Sequence, residues 1–420
     1  RKKVDMTEII DNFVLNKYLG IPIFVVVMYI IFKFTFVFSE PIMNILEVFF
    51  EQLGNVVGNT ITEESIRSLI IDGIIGGVGG ILEFFPLILF MFFAIAFFED
   101  FGYMARAAFI MDKVMSKFGL HGKSFLPLMI ATNGCAVPGI LATRTLDSKR
   151  DRLITMLVVP FMICGAKLPV FVLITEAFFS SKSRVNVMSF IYILSVIIAF
   201  IAAKLLSTTL LKVEQAHHFV MELPPYHMPK IKGLLLKMWE RSWLYLRKAG
   251  TVIIFISVLM WAAFAYPRAH VNKNLTKTEK GVIQLRYSLA GRAGKILEPL
   301  FKPIGMDANT VVALIAGLAA KEVIVSTLGT VYSIEKSDSC NAKSLKKKIA
   351  CDKDWSFLKG LTFLVFCLIY TPCAACVACF FKESGSSYKW LAFVVIGNSV
   401  FAWIVSFIVF QVGTLFKIGV

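Results

Sequence analysis

Long apolar stretches recur along the chain and predict helices that cross a membrane. A helix needs about 20 mainly apolar residues to span the hydrocarbon layer of a bilayer. The stretch 19–38 carries only Lys33, and 84–98 is extended upstream by the Gly-rich segment 73–82. Five more stretches carry no charged residue: 125–143, 185–203, 249–267, 360–381 and 390–416. We therefore expect most of the chain to lie within a bilayer.

Two other apolar stretches are interrupted. Residues 153–179 contain two prolines and two charged residues, and residues 308–334 contain the pair Lys321–Glu322. Backbone that leaves the helix at membrane depth must line a cavity or be buried in protein. The count is about eight or nine crossings, depending on whether these segments cross fully. We predict an all-α, polytopic integral membrane helical bundle with broken helices.

Composition agrees with this pattern. Of the 420 residues, 57% are hydrophobic and 17% are charged, and the mean hydropathy is +0.74. Soluble globular domains average about 45–50% apolar and about 25% charged residues, so that class is excluded. We expect the net charge of +16 in loops that face anionic lipid, and we do not interpret it as nucleic-acid binding.

The polar connector before residue 249 has its own pattern. Residues 230–248 mix Trp239, Trp243 and several leucines with lysines and arginines. This mixture predicts an amphipathic helix at the membrane interface. The plainer interpretation is a basic connector that lies on lipid headgroups.

Two segments align without gaps, 117–134 over 303–320, and Cys135 then falls on Lys321. Each segment contains a glycine turn, an apolar half-helix, and small residues before a polar interruption. Paired elements of this kind mark the midplane site of many transporters. Few residues are identical, so the repeat alone is a weak signal.

The first candidate site is the segment 131–139, where Gly134 and Pro138 interrupt an apolar run. Asn133 and Cys135 stand at this interruption, so their side chains and the freed carbonyls could face a permeating ion. The alternative is a proline kink with a buried cysteine that acts as a small hydrophobic residue.

The pair Lys321–Glu322 is the second candidate. A charge in the middle of a bilayer costs about 3 kcal/mol on insertion scales, so an intramembrane pair indicates function. Glu322 is the candidate cation ligand, and Lys321 could tune or gate it. The alternative is a structural ion pair that locks helices together.

Cysteines form the third candidate. Those at membrane depth outside the first site are Cys164, Cys367, Cys373, Cys376 and Cys379. The last three recur every three residues, which would place them along one helix face, and thiolates prefer transition metals to Mg²⁺ or Ca²⁺. An iron–sulfur cluster is disfavoured because no fourth ligand is evident. Cys340 and Cys351 flank a Lys-rich loop and could form a disulfide if that loop is extracytoplasmic.

Several strings along the chain form a recognisable set: 98–112 (FEDFGYMARAAFIMD), 119–125 (GLHGKSF), 134–138 (GCAVP), 142–145 (ATRT), 160–169 (PFMICGAKLP), 222–229 (ELPPYHMP), 320–323 (AKEV), Pro372-Cys373 and Gln411. They resemble the membrane domain of the ferrous iron transport protein B (FeoB) family. The strings keep the family's order over nearly the whole chain. The first gate departs from the family's Gly-x-Gly-Cys-Asn-Val-Pro at Thr132 and Ala136, and Lys167 replaces the family's arginine.

The resemblance implies Fe²⁺ uptake across the bacterial inner membrane through two gate repeats. It divides the permease domain, 1–420, into a first gate repeat at about 73–180, an interfacial linker helix at about 212–248, a second gate repeat at about 249–381 and a C-terminal helix at 389–416. Broken helices of the two repeats are expected to meet near the midplane.

The resemblance also implies partners. The family carries an N-terminal cytosolic GTPase domain, which binds GTP and Mg²⁺, and a helical linker domain. Neither is present here and the chain begins at Arg1, so we expect a fragment that is not itself an enzyme and holds no cofactor. Its expected partners are Fe²⁺, the lipid bilayer, that GTPase domain and small accessory proteins of the FeoA and FeoC type; homo-oligomerisation stays open.

The family's proposed path includes the cysteine of the first gate and the cysteine after the late proline, which correspond to Cys135 and Cys373. We hypothesise that these thiols and Cys164 bind the passing ion. Negative charge from Glu322, and from Glu99 or Asp100 at a pore mouth, would offset its dehydration. The candidate metal-contacting residues are therefore Cys135, Cys373, Cys164, Glu322, Asn133, Glu99 and Asp100.

Two alternatives stay open. Gate repeats resemble those of concentrative nucleoside transporters, so the substrate could be a nucleoside or another divalent metal. The chain could also be a membrane sensor or scaffold that binds metal through its cysteines without transporting it.

Overall fold

The computed structural model describes residues 6–16, 19–61, 63–132, 134–179, 181–209, 225–268, 277–332 and 355–417. Within these ranges every regular element is helical, which confirms the predicted all-α membrane protein. Asn133 and the predicted Cys340–Cys351 disulfide lie outside the described residues.

Seven helical segments in the described part of the chain are long and apolar enough to cross a membrane. They are Gly20–Thr60, Ile66–Phe101, Lys149–Phe178, Ser183–Thr209, Ile231–Ala265, Phe357–Glu383 and Tyr388–Leu415. The predicted stretch 125–143 is instead two half-helices of seven residues each. The apolar helix Ala308–Ala319 has 12 residues, too few to cross by itself.

Two helices are longer than the hydropathy pattern predicts. Gly20–Thr60 continues far beyond residue 38 and contains Pro41, which removes one backbone hydrogen bond without ending the helix. Ile231–Ala265 joins the predicted interfacial helix to the next crossing stretch. The junction contains Gly250, and one glycine costs a helix only about 1 kcal/mol relative to alanine.

The chain folds into two compact units. Unit one comprises Arg1–Thr62, Val78–Met162 and Ile197–Thr251, and unit two comprises Glu63–Gly77, Ile163–Val196 and Val252–Val420. Three helices contribute residues to both units: Gly76–Phe101, Ser181–Thr209 and Ile231–Ala265.

The remaining elements belong to one unit each. Unit one contains the helices Met6–Val14, Gly20–Thr60, Tyr103–Lys117, Phe125–Ala131, Ala136–Ala142 and Lys149–Val158, with 3₁₀ turns at Gly122–Ser124, Thr143–Thr145 and Val159–Phe161. Unit two contains the α-helices Glu64–Ser68, Leu168–Phe178, Lys277–Tyr287, Leu289–Phe301, Ala308–Ala319, Val323–Tyr332, Phe357–Ile369, Ala374–Glu383, Tyr388–Ala392 and Asn398–Leu415. It also has 3₁₀ turns at Gly165–Lys167 and Lys302–Ile304, and π-helical segments at Leu69–Ile75 and Phe393–Gly397.

The helix Phe357–Ile369 is the centre of unit two, and ten of its thirteen residues are buried. Small residues allow its neighbours to approach closely. A Cβ atom added at Gly413 would lie 2.1 Å from Leu358 Cδ1, and one added at Gly360 would lie 3.0 Å from Phe178 Cδ2. Close approach at small residues is the usual way in which membrane helices pack.

Candidate functional site

The Cys135 break, which includes Thr132, Gly134 and Cys135, separates two half-helices in unit one. The first half-helix, Phe125–Ala131, ends at Thr132, whose hydroxyl donates a hydrogen bond of 2.9 Å to the Leu128 carbonyl. Cys135, with an extended backbone (φ −127°, ψ 139°), precedes the second half-helix, Ala136–Ala142. The Cys135 side chain is half-buried. The predicted interruption is therefore present and carries the thiol at its end.

Glycine is required inside this break. A Cβ atom at Gly134 would lie 2.4 Å from the Ile130 carbonyl oxygen and 2.8 Å from Met91 Sδ. A backbone oxygen cannot move aside as the end of a side chain can. At Gly139 a Cβ atom would lie 2.9 Å from the Pro127 carbonyl oxygen, so the two half-helices touch at this point. Tight backbone packing thus fixes the shape of the break.

The Cys373 break, residues 370–373, lies in unit two at the end of the buried helix Phe357–Ile369. Cys373 is half-buried and precedes the next half-helix, Ala374–Glu383. A helix end leaves carbonyl groups without intrahelical partners. Two carbonyls at this end, those of Leu368 and Thr371, accept hydrogen bonds from lysine side chains.

Both lysines are almost fully buried. Lys167 is 4% exposed and Lys321 is 3% exposed. Lys167 Nζ donates a hydrogen bond of 2.9 Å to the Leu368 carbonyl, and Lys321 Nζ donates one of 2.7 Å to the Thr371 carbonyl. Lys321 Nζ also lies 3.2 Å from the centroid of the Tyr370 ring. Lysine side chains near the C-terminus of a helix can hydrogen-bond to its last carbonyls, so these two lysines hold the break in place.

Several predicted residues gather around these lysines. Cys164 directly precedes the 3₁₀ turn Gly165–Lys167. Cys164 and Cys373 lie near both Lys167 and Lys321, and Glu322 lies near Cys373. Unit two thus brings three of the predicted site residues into one neighbourhood.

The other thiols of unit two are less accessible. Cys367, Cys376 and Cys379 are buried. Cys376 and Cys379 come after Cys373 at spacings of three residues within one half-helix. In the ranges given above, no three His, Cys, Asp or Glu side chains gather closely enough to hold a metal ion.

Glu99 and Asp100 lie at the end of the helix Gly76–Phe101 in unit one, and both form ion pairs. Asp100 Oδ1 lies 2.5 Å from Lys237 Nζ, and Glu99 Oε2 lies 3.0 Å from Arg241 Nη1. The basic partners belong to the helix Ile231–Ala265. These carboxylates tie two helices together.

Sequence reasoning missed a buried arginine in unit one. Arg106 is fully buried, and its guanidinium makes two hydrogen bonds to Asp11 at 2.8 and 3.1 Å. The guanidinium carbon lies 4.0 Å from the centroid of the Tyr226 ring. Burial raises the pKa of Tyr226 to about 12, so this phenol stays neutral. An arginine among apolar residues was the available signal, because a buried charge requires a partner.

A second missed feature joins the Cys373 break to the last membrane helix. Thr371 Oγ1 lies 2.6 Å from the Val395 carbonyl oxygen and 2.5 Å from Ser399 Oγ. Val395 lies in the π-helical segment Phe393–Gly397. Such segments often occur at functional sites, and this one places a carbonyl within reach of the Thr371 hydroxyl.

Two known protein families match parts of this chain. The Gate family, described as nucleoside recognition, matches residues 81–178 and 246–387. The family described as ferrous iron transport protein B C terminus matches residues 188–241. No solved structure matches the chain.

Curated relatives align along almost the entire chain. A fusion protein of Porphyromonas gingivalis, named Fe(2+) transport protein A/Fe(2+) transporter FeoB, is 41% identical over 98% of this chain and 52% of its own length. The Fe(2+) transporter FeoB of Campylobacter jejuni is 41% identical over 97% of this chain and 65% of its own length. That of Methanocaldococcus jannaschii is 37% identical over 98% of this chain and 60% of its own length. The chain thus spans about half to two thirds of the length of these relatives.

Proposed function

Because this chain belongs to the FeoB family, we propose that it is the membrane part of an Fe²⁺ transporter of the inner membrane. The two segments that match the Gate family correspond in this proposal to the two predicted gate repeats. GTP hydrolysis takes place in a domain outside these 420 residues and regulates the membrane part. The fusion in Porphyromonas gingivalis supports an FeoA-type protein as a partner.

The Cys373 break is the observation that carries the proposal. A divalent iron ion in the membrane must replace its lost water with protein ligands, and sulfur together with carbonyl oxygen suits a first-row transition metal. A half-buried thiol stands here beside carbonyls that the helix end leaves outside the helical ladder. Non-helical backbone in the membrane occurs where it is buried or lines a pathway.

Lys321 acts as the gate in this proposal. Its side-chain nitrogen donates a hydrogen bond to the Thr371 carbonyl oxygen. An ion bound at Cys373 would use this same oxygen as a ligand. Fe²⁺ therefore enters only when Lys321 leaves this carbonyl, and Glu322 compensates the charge of the entering ion.

Cys135 and Cys164 are the further thiol contacts of the proposed path. Cys164 is three residues from Lys167 along a single 3₁₀ turn, so a shift of Lys167 would also move this thiol.

The other candidates are polar side chains. Asn133 stays a candidate because it directly precedes Gly134 and Cys135 in the sequence. Glu99 and Asp100 would meet a cation only after their pairs with Arg241 and Lys237 open, and we assign them a minor part.

The test is metal uptake into liposomes that hold the purified protein, with Fe²⁺ kept reduced under anaerobic conditions. Nucleoside uptake is measured in parallel because the Gate family is described by nucleoside recognition. We expect Fe²⁺ to enter the liposomes and the nucleoside to stay outside. The substitution Cys373→Ser should strongly reduce the rate of Fe²⁺ entry.

The matched control is Cys379→Ala, because Cys379 lies in the same half-helix but is buried. Equal flux in folded Cys373→Ser and wild-type protein would overturn the role of the thiol. Nucleoside entry, or Fe²⁺ binding without entry even when the GTPase domain is restored, would overturn the function itself.

A further inference from the structure

Unit two contains a cavity of about 420 Å³ that lies beside the proposed ion path. It is bounded by the helices Ile231–Ala265, Ala308–Ala319 and Ala374–Glu383 and by the start of the last membrane segment. Of its lining residues, only Thr371 and Lys382 are polar or charged; the others are apolar. The chemistry of this cavity suits a hydrocarbon ligand.

The cavity opens on a surface made of apolar side chains. Leu318, which lines it, is 38% exposed, and Phe255 and Leu259 on the adjoining helix Ile231–Ala265 are 66% and 52% exposed. That adjoining helix has the length and composition of a membrane span. Large exposed apolar side chains on such a helix are the surface that contacts lipid chains.

The cavity follows a half-helix that is about as long as one leaflet of a bilayer is thick. It extends along the half-helix Ala374–Glu383, from Thr371 and Pro372 at one end to Phe381 and Lys382 at the other. Ten residues of α-helix measure about 15 Å, which is half of the hydrocarbon thickness of about 30 Å.

The end at Lys382 has the composition of a membrane–water interface. Lys382 and Lys389 are exposed there, and Tyr388 and Trp390 lie within the same short stretch of chain. Tyrosine and tryptophan concentrate at the headgroup level of membranes, and lysines at that level attract anionic lipids. The other end of the cavity therefore lies deep in the hydrocarbon.

We propose that this cavity binds one acyl chain of an anionic phospholipid, with the headgroup phosphate at Lys382 and Lys389. The chain end reaches Thr371 and Pro372, directly before Cys373. The Thr371 carbonyl also accepts the hydrogen bond from Lys321, so the bound lipid packs against the segment that the lysine holds. Binding itself does not depend on the proposed function, whereas an effect of the lipid on Fe²⁺ flux rests on it.

The test uses the purified protein in nanodiscs of phosphatidylcholine with a small fraction of phosphatidylglycerol that carries a photoreactive group at the end of one acyl chain. After irradiation, labelled peptides are identified by mass spectrometry. We expect labelling of the segment that contains Thr371 and Pro372, and we expect excess unlabelled phosphatidylglycerol, but not phosphatidylcholine, to abolish it.

Two variants fill the cavity from different helices, Ala378→Trp and Met260→Trp, and a third, Lys382→Glu, reverses the charge at its outer end. Each should lose the labelling. The matched controls are Val400→Trp, at an exposed position of the helix Asn398–Leu415, and Lys302→Glu, at an exposed lysine outside the cavity; both should keep it.

Equal labelling in the variants and the controls would overturn the proposal, as would labelling confined to other segments. The proposal would also be overturned if a second copy of the chain covered the cavity. A protein–protein crosslink formed through Ala378→Cys would detect this. If binding is lost in Lys382→Glu while Fe²⁺ flux is unchanged, the lipid site stands and its link to transport fails. If flux is absent in every protein but labelling persists, the proposed function fails instead.

Discussion

The two breaks that the internal repeat aligns differ in the side chain that each half-helix leads to. In unit one the half-helix Phe125–Ala131 ends at an extended Thr132 and leads to the thiol of Cys135. In unit two the half-helix Ala308–Ala319 ends at an extended Ala320 and leads to the side chain of Lys321. The same backbone arrangement therefore leads to a thiol in one unit and to a buried lysine in the other.

The Cys135 break and the Cys373 break are also held by different contacts. Backbone atoms pack around Gly134 and Gly139 in unit one, and close packing of this kind resists compression. In unit two the contact from Lys321 to the Thr371 carbonyl of the Cys373 break is made by a long side chain, which can leave the carbonyl without unfolding a helix. We infer that the Cys135 break is rigid and that the Cys373 break moves.

The largest expected effect is on the rigid break. Gly134→Ala places a Cβ atom against the Ile130 carbonyl, and overpacking of this kind costs about 3 kcal/mol. We expect a clear drop in the thermal unfolding midpoint in detergent. The control is Gly80→Ala in the helix Gly76–Phe101, where a Cβ atom meets nothing within 4 Å; its midpoint should stay or rise. Equal midpoints for both variants would contradict a rigid break.

The second prediction concerns Lys321. Lys321→Met leaves the Thr371 carbonyl without its ammonium partner, and an unsatisfied buried acceptor costs about 1–3 kcal/mol. We expect a lower unfolding midpoint together with a higher Fe²⁺ flux, because the gate can no longer close. The exposed Lys302→Met serves as the control. A loss of flux in Lys321→Met, with the fold retained, would mean that Lys321 assists permeation instead of blocking it.

Thr371→Val should have a smaller effect. It removes the hydrogen bonds of the Thr371 hydroxyl to Val395 and Ser399, and each such bond contributes about 0.5–1.5 kcal/mol. Ser399→Ala removes the contact to Thr371 and the hydrogen bond of 2.8 Å that Ser399 Oγ donates to the Val395 carbonyl, so it should lower the unfolding midpoint by a similar amount. A wild-type midpoint in both variants would show that these hydroxyl contacts contribute nothing to stability.

The smallest effects are expected at the charged pairs of unit one. Asp100→Asn and Glu99→Gln break ion pairs that are partly exposed to solvent, and such pairs contribute about 0–1 kcal/mol. Flux should stay near that of the wild type. A strong loss of flux with an unchanged unfolding midpoint would instead place these carboxylates on the ion path.

Local features of the sequence were enough to predict most of the helices. Hydropathy identifies membrane helices because the bilayer requires a minimum apolar length. Gly134 and Pro138 marked the break in unit one, since both residues weaken helices. The helix Gly20–Thr60 is longer than predicted because the charged residues and the proline near its middle do not end it.

The contacts that hold the breaks could not be predicted in the same way. Lys167 and Leu368 are 201 residues apart, and Lys321 and Thr371 are 50 residues apart. The sequence marks each lysine as a buried charge in need of a partner, but it does not say which carbonyl becomes free. That depends on where the helix Phe357–Ile369 ends and on which side chains pack beside it.

The most direct test of the difference between the breaks is the reactivity of their thiols. Two single-cysteine proteins retain only Cys373 or only Cys135, and each is compared with and without Lys321→Met. The rate of modification by a small polar methanethiosulfonate reagent is measured in liposomes. We predict that Lys321→Met speeds modification of Cys373 by about tenfold, which corresponds to about 1.4 kcal/mol, and leaves Cys135 unchanged. An unchanged rate at Cys373, or an equal increase at both thiols, would contradict a rigid break in unit one and a movable break in unit two.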